Sequence, residues 1–421
     1  MAEAATGART SNDQPAAGHQ RPDGLLSIDE AQAVIASHVT ALGVEPVDLG
    51  EAHGRFVAEA VDAVIDLPPF PSSAMDGYAV RAGDTPGRLR VVGESAAGSP
   101  FEGELAAGEA VVISTGAVVP ASADGIVPVE RTSRDGDAVE IGGVAAPGGF
   151  IRLPGSDIER GSRILAAGTR LGPAQIGAVA AAGLATLSCH RRPRVAVLAT
   201  GTELRPPGQP LELGEIYDAN GPMLAAALRS TGAEVTRIPT VGDDEDAHRE
   251  ALAEALEHDV VISSGGVSMG THDLVRSVGS ELGIREVFWK VALRPGKPLA
   301  FGVRGTTLVF GLPGNPVSTL VCFELFVRPA LFGLQGARDA RPAYSAGRLG
   351  EAVTRNPERD DLIRVRVSIT PERTPVLFPL AGQQSHQISV TAQADALAWI
   401  PLGTGELAAG TDVAYLPLQR S

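Results

Sequence analysis

Three unbroken apolar runs, each ending in a glycine-rich turn, constrain this chain most: RVAVLATG at 194–201, DVVISSGG at 259–266 and TLVFGLPG at 307–314. A strand with one wet face alternates apolar and polar residues. A run without alternation is buried on both faces, as in a parallel sheet. Helical periodicity separates or follows the runs, at about 222–231, 246–257, 273–282 and 316–331. Strand, glycine-rich loop and helix in repeated order predict a doubly wound α/β domain over 191–335.

In such a sheet, ligands bind outside the carboxyl ends of the strands. Those ends carry Gly201, Thr202 and Glu203, then Gly265, Gly266 and Ser268, then Pro313, Gly314, Asn315 and Pro316. Glycines let backbone N–H groups close on an anion, and the positive end of each following helix favours it. One such loop is ordinary turn punctuation. Three on neighbouring strands predict a pocket for a phosphorylated ligand. The segment WKVALRPGKP, 289–298, adds Lys290, Arg294 and Lys297. With 290–294 extended, Lys290 and Arg294 share a face. Charge-assisted hydrogen bonds of roughly 1.5–3 kcal/mol each are enough there to hold a phosphate or another oxyanion.

These cations stand out because the chain is acidic: 35 Lys and Arg against 50 Asp and Glu leave a net charge of −15 over 421 residues. That balance argues against a nucleic-acid binder, which needs a basic face, and suits a site that gathers divalent cations. The candidate carboxylates are Asp76 in AMDGY, Asp157 in a PGSD turn, Glu203 after the first run, Asp243 and Asp244 after a short strand at 235–241, and Asp273 seven residues past Gly266. Taken singly, each is a turn former or a helix cap. Those of the α/β domain follow strands or glycine loops, where hard oxygens suit Mg²⁺ bridging to substrate phosphates. The two cysteines, Cys189 and Cys322, are too few for a disulfide framework or a zinc cluster and read as buried thiols of a reducing compartment. No Ser/His/Asp or Cys/His nucleophile set emerges from the eight histidines, of which His386 alone has a suggestive context.

The flanks are read more coarsely. Residues 1–24 have no basic segment leading into an apolar run and read as a disordered tail. The apolar stretch at 171–187 is broken by Pro173 and Gln175, so no membrane span is predicted and a cytoplasmic protein is expected. Ser27 with Glu30 three positions on predicts a capped helix reaching about Leu42. PPFPSSAMDGYAV, 68–80, reads as a loop. LRVVGES, EAVVISTG, GIVPVE and AVEIGG predict a β-rich domain at 86–149. It interrupts a domain made of 25–85 and 150–190, the second part carrying an Ala-rich helix at 173–182. Residues 336–421, with IRVRVSI and VLFPLAG, predict a small C-terminal β domain.

Five segments in this order, PPFPSSAMDGYAV, GTEL with GEIYDAN (214–220), SSGGVSMGTHD (263–273), KVALRPGKP (290–298) and GLPGNPVSTLVCFELFVRPAL (311–331), resemble the molybdopterin molybdenumtransferase family, the bacterial counterparts of the gephyrin E domain. The resemblance covers the chain after residue 25. It implies enzymes that take adenylylated molybdopterin and molybdate, use Mg²⁺, and release AMP as molybdenum enters the dithiolene to give molybdenum cofactor. It also implies the four-part fold read above and an elongated homodimer with each active site in a cleft between subunits. The partners implied beyond small molecules are molybdopterin adenylyltransferase and molybdoenzyme-maturation proteins, with no nucleic acid and no membrane.

On that resemblance Asp76 matches the acid of MDGYA, Thr115 the Thr of an S/M-T-G-A segment, Asp157 the acid of a G-x-D turn and Glu203 the acid of GTEL. Asp243 or Asp244 matches an Asp pair, Asp243 being favoured, and Asp273 matches the acid after GGVSxG. Lys290 and Arg294 match two family cations, and Lys297 belongs to PGKP. Glu203, Asp243 and Asp273 are the implied Mg²⁺ ligands. Three departures stand out. Met269 replaces a Val; Arg294 replaces the commoner Lys with a planar fork; and 383–389 follows the family's G-S-G/H segment only loosely. The alternative reading is a gephyrin-like scaffold that keeps the fold and binds a protein partner. A scaffold is free to lose Asp76, Asp243, Asp273 or Lys290, and all four are present. The partner adenylyltransferase, a third reading, shares the α/β module but has no need of MDGYA outside it.

Overall fold

In the computed structural model, which describes residues 24–241, 244–265 and 274–418, Ser27 caps helix α1 (Ile28–Ala36) as its spacing predicts. Ser27 Oγ accepts the Glu30 N–H at 3.1 Å, and Glu30 Oε2 accepts the Ser27 N–H at 2.7 Å. The helix ends at Ala36, short of Leu42. Ser37 Oγ donates to Val34 O at 2.7 Å and His38 Nδ1 lies 2.9 Å from the same oxygen, so side chains take over a carbonyl that the next turn would use.

The chain divides into two compact units. One, of residues 46–53 and 57–189, is built on a six-stranded sheet of β1 (Gly77–Val80), β2 (Gly87–Ser95), β3 (Glu109–Ile113), β4 (Gly125–Pro128), β5 (Thr132–Asp135) and β6 (Ala138–Ile141), in the order β4-β1-β3-β2-β6-β5. The loop expected over 68–80 is therefore only partly a loop. Ser72–Ser73 is a short strand, and β1 is an inner strand whose four residues are all buried. Gly77 explains its position: a Cβ there would fall 2.1 Å from Val127 O on β4, so only glycine lets the two backbones pair so closely. Helix α2 (Pro173–Ala181) begins with Pro at its first turn and buries Val179 against Val57, Leu165, Leu171 and Leu187.

The other unit takes the chain up to residue 45, residues 54–56, and everything from 190 on. Its elements alternate: β7 (Arg194–Thr200), α3 (Asn220–Arg229), β8 (Glu234–Val241), α4 (Glu245–Ala255), β9 (Val260–Ser264), α5 (Leu274–Glu281) and β10 (Arg285–Trp289), followed by β11 (Leu293–Arg294), β12 (Ala300–Arg304), β13 (Thr307–Leu312) and α6 (Pro316–Leu334). The sheet order is β8-β7-β9-β13-β12-β10. The first four strands are parallel, and β12 and β10 form an antiparallel edge. The three apolar runs are thus neighbours. Along β7, Val195 and Val197 join the core formed with α1, α3 and α6, while Ala196 and Leu198 join the one under α4 and α5. Each buried Val or Leu contributes about 1.5–3 kcal/mol, and helices on both faces make the sheet doubly wound.

By length and composition α6 could cross a membrane, which the stretch at 171–187 could not, yet 72% of its most apolar window is buried in the core. Its middle, Phe323–Val327, is a π turn. There the buried Arg328 fork donates to both oxygens of Glu324, each at 2.7 Å. Beyond it, β14 (Ser345–Leu349), β15 (Asp360–Ile369), β16 (Pro375–Pro379), β17 (Ala396–Ile400) and β18 (Asp412–Pro417) close into a five-stranded ring in the order β15-β16-β14-β18-β17-β15. Strand β11 adds to this ring in parallel with β15, placing Leu293 opposite Asp360 and Arg294 opposite Asp361. Cys189 and Cys322 are buried and form no disulfide, and burial pushes the Cys322 thiol up.

Candidate functional site

At the carboxyl end of the parallel strands the backbone turns are packed on one another. Gly265 has φ +96°, and a Cβ on it would meet Thr200 O at 2.7 Å, so both the conformation and the space require glycine. Asn220, opening α3, donates through Nδ2 to Ser264 Oγ and to Gly314 O, each at 2.7 Å, tying the ends of β9 and β13 to that helix. Asp218 supports it from below, accepting the Gly221 N–H at 2.8 Å and pairing with Arg237 at 3.0 Å. Thr200 Oγ1 and Asn220 Oδ1 are buried at this end with no hydrogen-bond partner among the described residues. Such orphaned atoms carry a penalty of about 1–3 kcal/mol each unless a ligand meets them.

Gly201, Thr202 and Glu203 follow β7, and the Glu203 carboxylate folds back over Gly201, where a Cβ would stand 2.5 Å from Oε2. Pro313, Gly314, Asn315 and Pro316 follow β13 into α6. The predicted residues Asp243, Gly266, Ser268 and Asp273, like Met269, lie outside the described residues. Asp244 is described, and it caps α4 by accepting the Ala247 N–H at 2.7 Å.

The segment 290–294 is not one extended strand, and Lys290 and Arg294 do not share a face of one. Lys290 has φ +78°. Its N–H bonds to Leu299 O at 2.8 Å and that of Val291 to Lys297 O at 3.0 Å, which folds the chain back before β11 begins. Lys290 therefore sits at the end of β10, with Nζ 3.7 Å from the Trp289 ring centroid. Arg294 instead stands on β11 beside the C-terminal ring.

There a cavity of about 520 Å³ opens between the PGKP turn, the start of α6 and the ring. Arg294, Lys297 and Arg359 line it with a single carboxylate, Asp361. Asn315, Ser318, Gln383, Gln384 and Ser385 supply neutral polar atoms, and Asn315 Nδ2 donates to Ser385 Oγ at 3.0 Å. Arg294 is ion-paired to Asp361. Burial pushes the Asp361 carboxyl above its ordinary range, and the Arg294 guanidinium opposes this. Arg359 Nε is buried without a hydrogen-bond partner among the described residues. Asp361 Oδ1 is buried without a partner as well, so what matches an anion with several oxygens is the charge balance of the lining, three cations to one carboxylate.

In the other unit, Asp76 and Thr115 come together. The Thr115 N–H donates to Asp76 Oδ1 at 2.6 Å, and this bond, with one from the Thr115 side chain, holds the Asp76 carboxyl below its usual range. Asp157 is exposed in its turn, with its N–H bonded to Leu67 O at 3.0 Å. For Mg²⁺, the described residues supply Glu203 of the implied set, Asp218 and Asp244 being committed to a salt bridge and to helix starts. Among the described residues no group of three or more His, Cys, Asp or Glu is placed to hold a metal ion. Sequence reasoning misses Arg359 and Asp361, whose only local signal is the charge cluster at 358–361, and reaches Ser385 only as part of the loosely matching 383–389 segment, beside the exposed His386.

Comparison with known proteins covers nearly the whole chain. Residues 26–183 match the family model described as the MoeA N-terminal region (domain I and II), 196–333 the model described as "Probable molybdopterin binding domain", and 346–418 the MoeA C-terminal region (domain IV). Molybdopterin molybdenumtransferase 2 of Mycobacterium tuberculosis is 38% identical over 405 residues, covering 92% of this chain and 98% of its own. The molybdopterin molybdenumtransferase of a Nostoc species is 36% identical over 386 residues, covering 89% and 88%. Among solved structures, the molybdopterin biosynthesis MoeA protein of Pyrococcus horikoshii is 27% identical with a TM-score of 0.81, covering 93% of this chain and all of that one.

Proposed function

The chain belongs to the MoeA family of molybdopterin molybdenumtransferases, and we propose that it inserts molybdenum into adenylylated molybdopterin, with molybdate as the metal source and AMP as the released product. The observation that carries this reading is the cavity where Arg294, Lys297 and Arg359 converge within an acidic chain. A doubly charged tetrahedral oxyanion suits three cations around one carboxylate. Unit charges at about 4 Å, worth about 1 kcal/mol in water, reach about 4 at an intermediate effective dielectric.

The backbone N–H groups of the glycine turns after β7, β9 and β13 suit the phosphate of the pterin substrate, while Asn220 Oδ1, which only accepts, suits an N–H of its ring. Lys290, at the end of β10, gives that part of the strand ends its positive charge. Asp76, whose carboxyl Thr115 holds below its usual range, is a further acid that this reading assigns to the reaction on the family motif alone. On the resemblance Glu203, Asp243 and Asp273 would hold Mg²⁺, which would supply charge neutralisation at the phosphoanhydride. The same reading makes the protein a cytoplasmic homodimer that exchanges substrate and product with molybdopterin adenylyltransferase and molybdoenzyme-maturation proteins.

The test is to incubate the purified protein with adenylylated molybdopterin, molybdate and Mg²⁺, and to follow AMP release together with metal in the pterin. Molybdate-dependent AMP release with metal retained in the pterin is expected, and Arg359→Ala is expected to raise the half-saturating molybdate at least tenfold. Binding of both substrates without turnover would overturn the enzymatic reading in favour of the scaffold.

A further inference from the structure

Arg364, on β15, is 1% exposed and makes no ion pair among the described residues. Every acceptor around it is neutral. Its Nε donates to Gln383 Oε1 at 3.2 Å, Nη1 to Gln387 O at 3.0 Å and to Thr391 Oγ1 at 3.3 Å, and Nη2 to Gln384 O at 3.2 Å. Gln383 is held a second time, since its Oε1 accepts the Arg364 N–H at 3.0 Å and its Nε2 donates to Arg364 O at 2.9 Å. Burying a charge without a counter-ion is unfavourable, and cores of this kind are often more stable with an apolar residue. Fold stability alone therefore gives no account of an arginine here.

What the guanidinium holds does give one. Gln383 and Gln384, together with Ser385, form one wall of the cavity. From the opposite side Ser385 accepts from Asn315 Nδ2 at 3.0 Å through Oγ and from the Val317 N–H at 3.2 Å through its carbonyl. The 383–387 turn is thus pinned from the ring by one buried cation and from the start of α6 by two bonds. The positive charge stands one residue behind the wall, in a desolvated place where its field is little screened.

We propose that Arg364 is a positioning residue for the oxyanion cavity, which fixes the Gln383–Gln387 turn so that Ser385 faces the anion and adds a fourth positive charge behind it. The inference rests on the reading of that cavity as the molybdate site. It assigns two separable contributions, a brace that needs the fork and a field that needs only the charge.

The experiment measures equilibrium binding of molybdate and, separately, of adenylylated molybdopterin to the full-length wild type, Arg364→Gln, Arg364→Lys and Thr391→Val, with hydrogen exchange of the amides in 383–391. Arg364→Gln is expected to weaken molybdate binding by at least tenfold, to leave pterin affinity within about twofold, and to speed exchange in 383–391. Arg364→Lys keeps the charge without the fork and is expected to lose less affinity than Gln while exchanging as fast. Thr391→Val removes one brace bond at nearly constant volume and is expected to speed exchange with a few-fold loss of molybdate affinity, which keeps the inference testable should Arg364→Gln not fold. Wild-type molybdate affinity in Arg364→Gln, equal losses for both ligands, or unchanged affinity in a Thr391→Val protein with faster exchange each overturn it. Failure of the wild type to bind molybdate at all overturns the cavity reading, and this inference with it.

Discussion

Arg294 and Asp361 are joined across the seam where β11 pairs with β15, the guanidinium half exposed at 52% and the carboxylate side chain only 2% exposed. The arginine at the family's second cation position is therefore not an independent charge. Its availability to an anion depends on whether Asp361 is ionised. Burial raises the Asp361 carboxyl above its ordinary 3.8. An acid with a raised folded value contributes stability below its unfolded value and loses it as pH rises through the folded one.

The same sign governs ligand binding. As pH falls toward the raised Asp361 value, protonation removes the one negative charge lining the cavity, and molybdate binding is expected to tighten. Asp361→Asn should flatten this dependence and lower the half-saturating molybdate at pH 7 by roughly threefold to tenfold, a few tenths of the full attraction between adjacent charges at an intermediate dielectric. Isothermal titration at a series of pH values decides it. Equal pH slopes in wild type and variant would remove Asp361 from control of the cavity.

Asp76 moves the opposite way. Its carboxyl is held below 3.8 by the Thr115 N–H and hydroxyl, so any stability it contributes is present above its unfolded value and lost only as pH falls through the lower folded one. Asp76 should stay ionised throughout the working range, and the acid limb of a pH–rate profile should not come from it. Asp76→Asn keeps an oxygen for the Thr115 N–H but removes the charge. AMP release should drop by roughly a hundredfold or more, with an unchanged circular dichroism spectrum. Turnover near wild type would strike Asp76 from the site.

Gly77 separates backbone from chemistry in the same motif. An added Cβ would lie 2.1 Å from Val127 O, and Val127 stands opposite Tyr78 in the sheet. Gly77→Ala should therefore push β1 from β4 and destabilise the protein by about 1–3 kcal/mol. Gly83 is the control: it is exposed and a Cβ there meets nothing within 4 Å. Calorimetry should show a lowered transition for Gly77→Ala and none for Gly83→Ala.

Much of the α/β unit was legible because two-sided burial writes itself into the chain as unbroken apolar runs, and β7, β9 and β13 are neighbours as those runs imply. Strand β1 was not, since four buried residues after a Pro/Ser segment carry no period to read. The left-handed Lys290 was equally silent, because nothing in WKVAL marks a reversal there. The cavity was legible on one wall only. PGKP and LPGNP announce themselves as motifs. Arg359, Asp361 and Ser385 reach the site because a two-residue strand at 293–294 joins a ring closed by residues up to 417, a juxtaposition no local pattern reports. Asp76 and Thr115, 39 residues apart, were named separately by their motifs, while their hydrogen bond is a property of the sheet.

The adjacent acids Asp243 and Asp244 should part in experiment. Asp244 Oδ1 is used by the Ala247 N–H at the start of α4, so Asp244→Ala removes a cap and should lower stability by about 1 kcal/mol while leaving AMP release within about twofold. Asp243, matched to the family acid, should behave in reverse: Asp243→Ala should melt as the wild type does and lose turnover by a hundredfold or more. Asp244→Asn, which can still cap, should restore the stability lost in Asp244→Ala. Melting curves and AMP release on the three variants give a two-by-two separation, since a cap acts on folding and a ligand on rate. Loss of turnover in Asp244→Asn with full stability would transfer the functional role to Asp244.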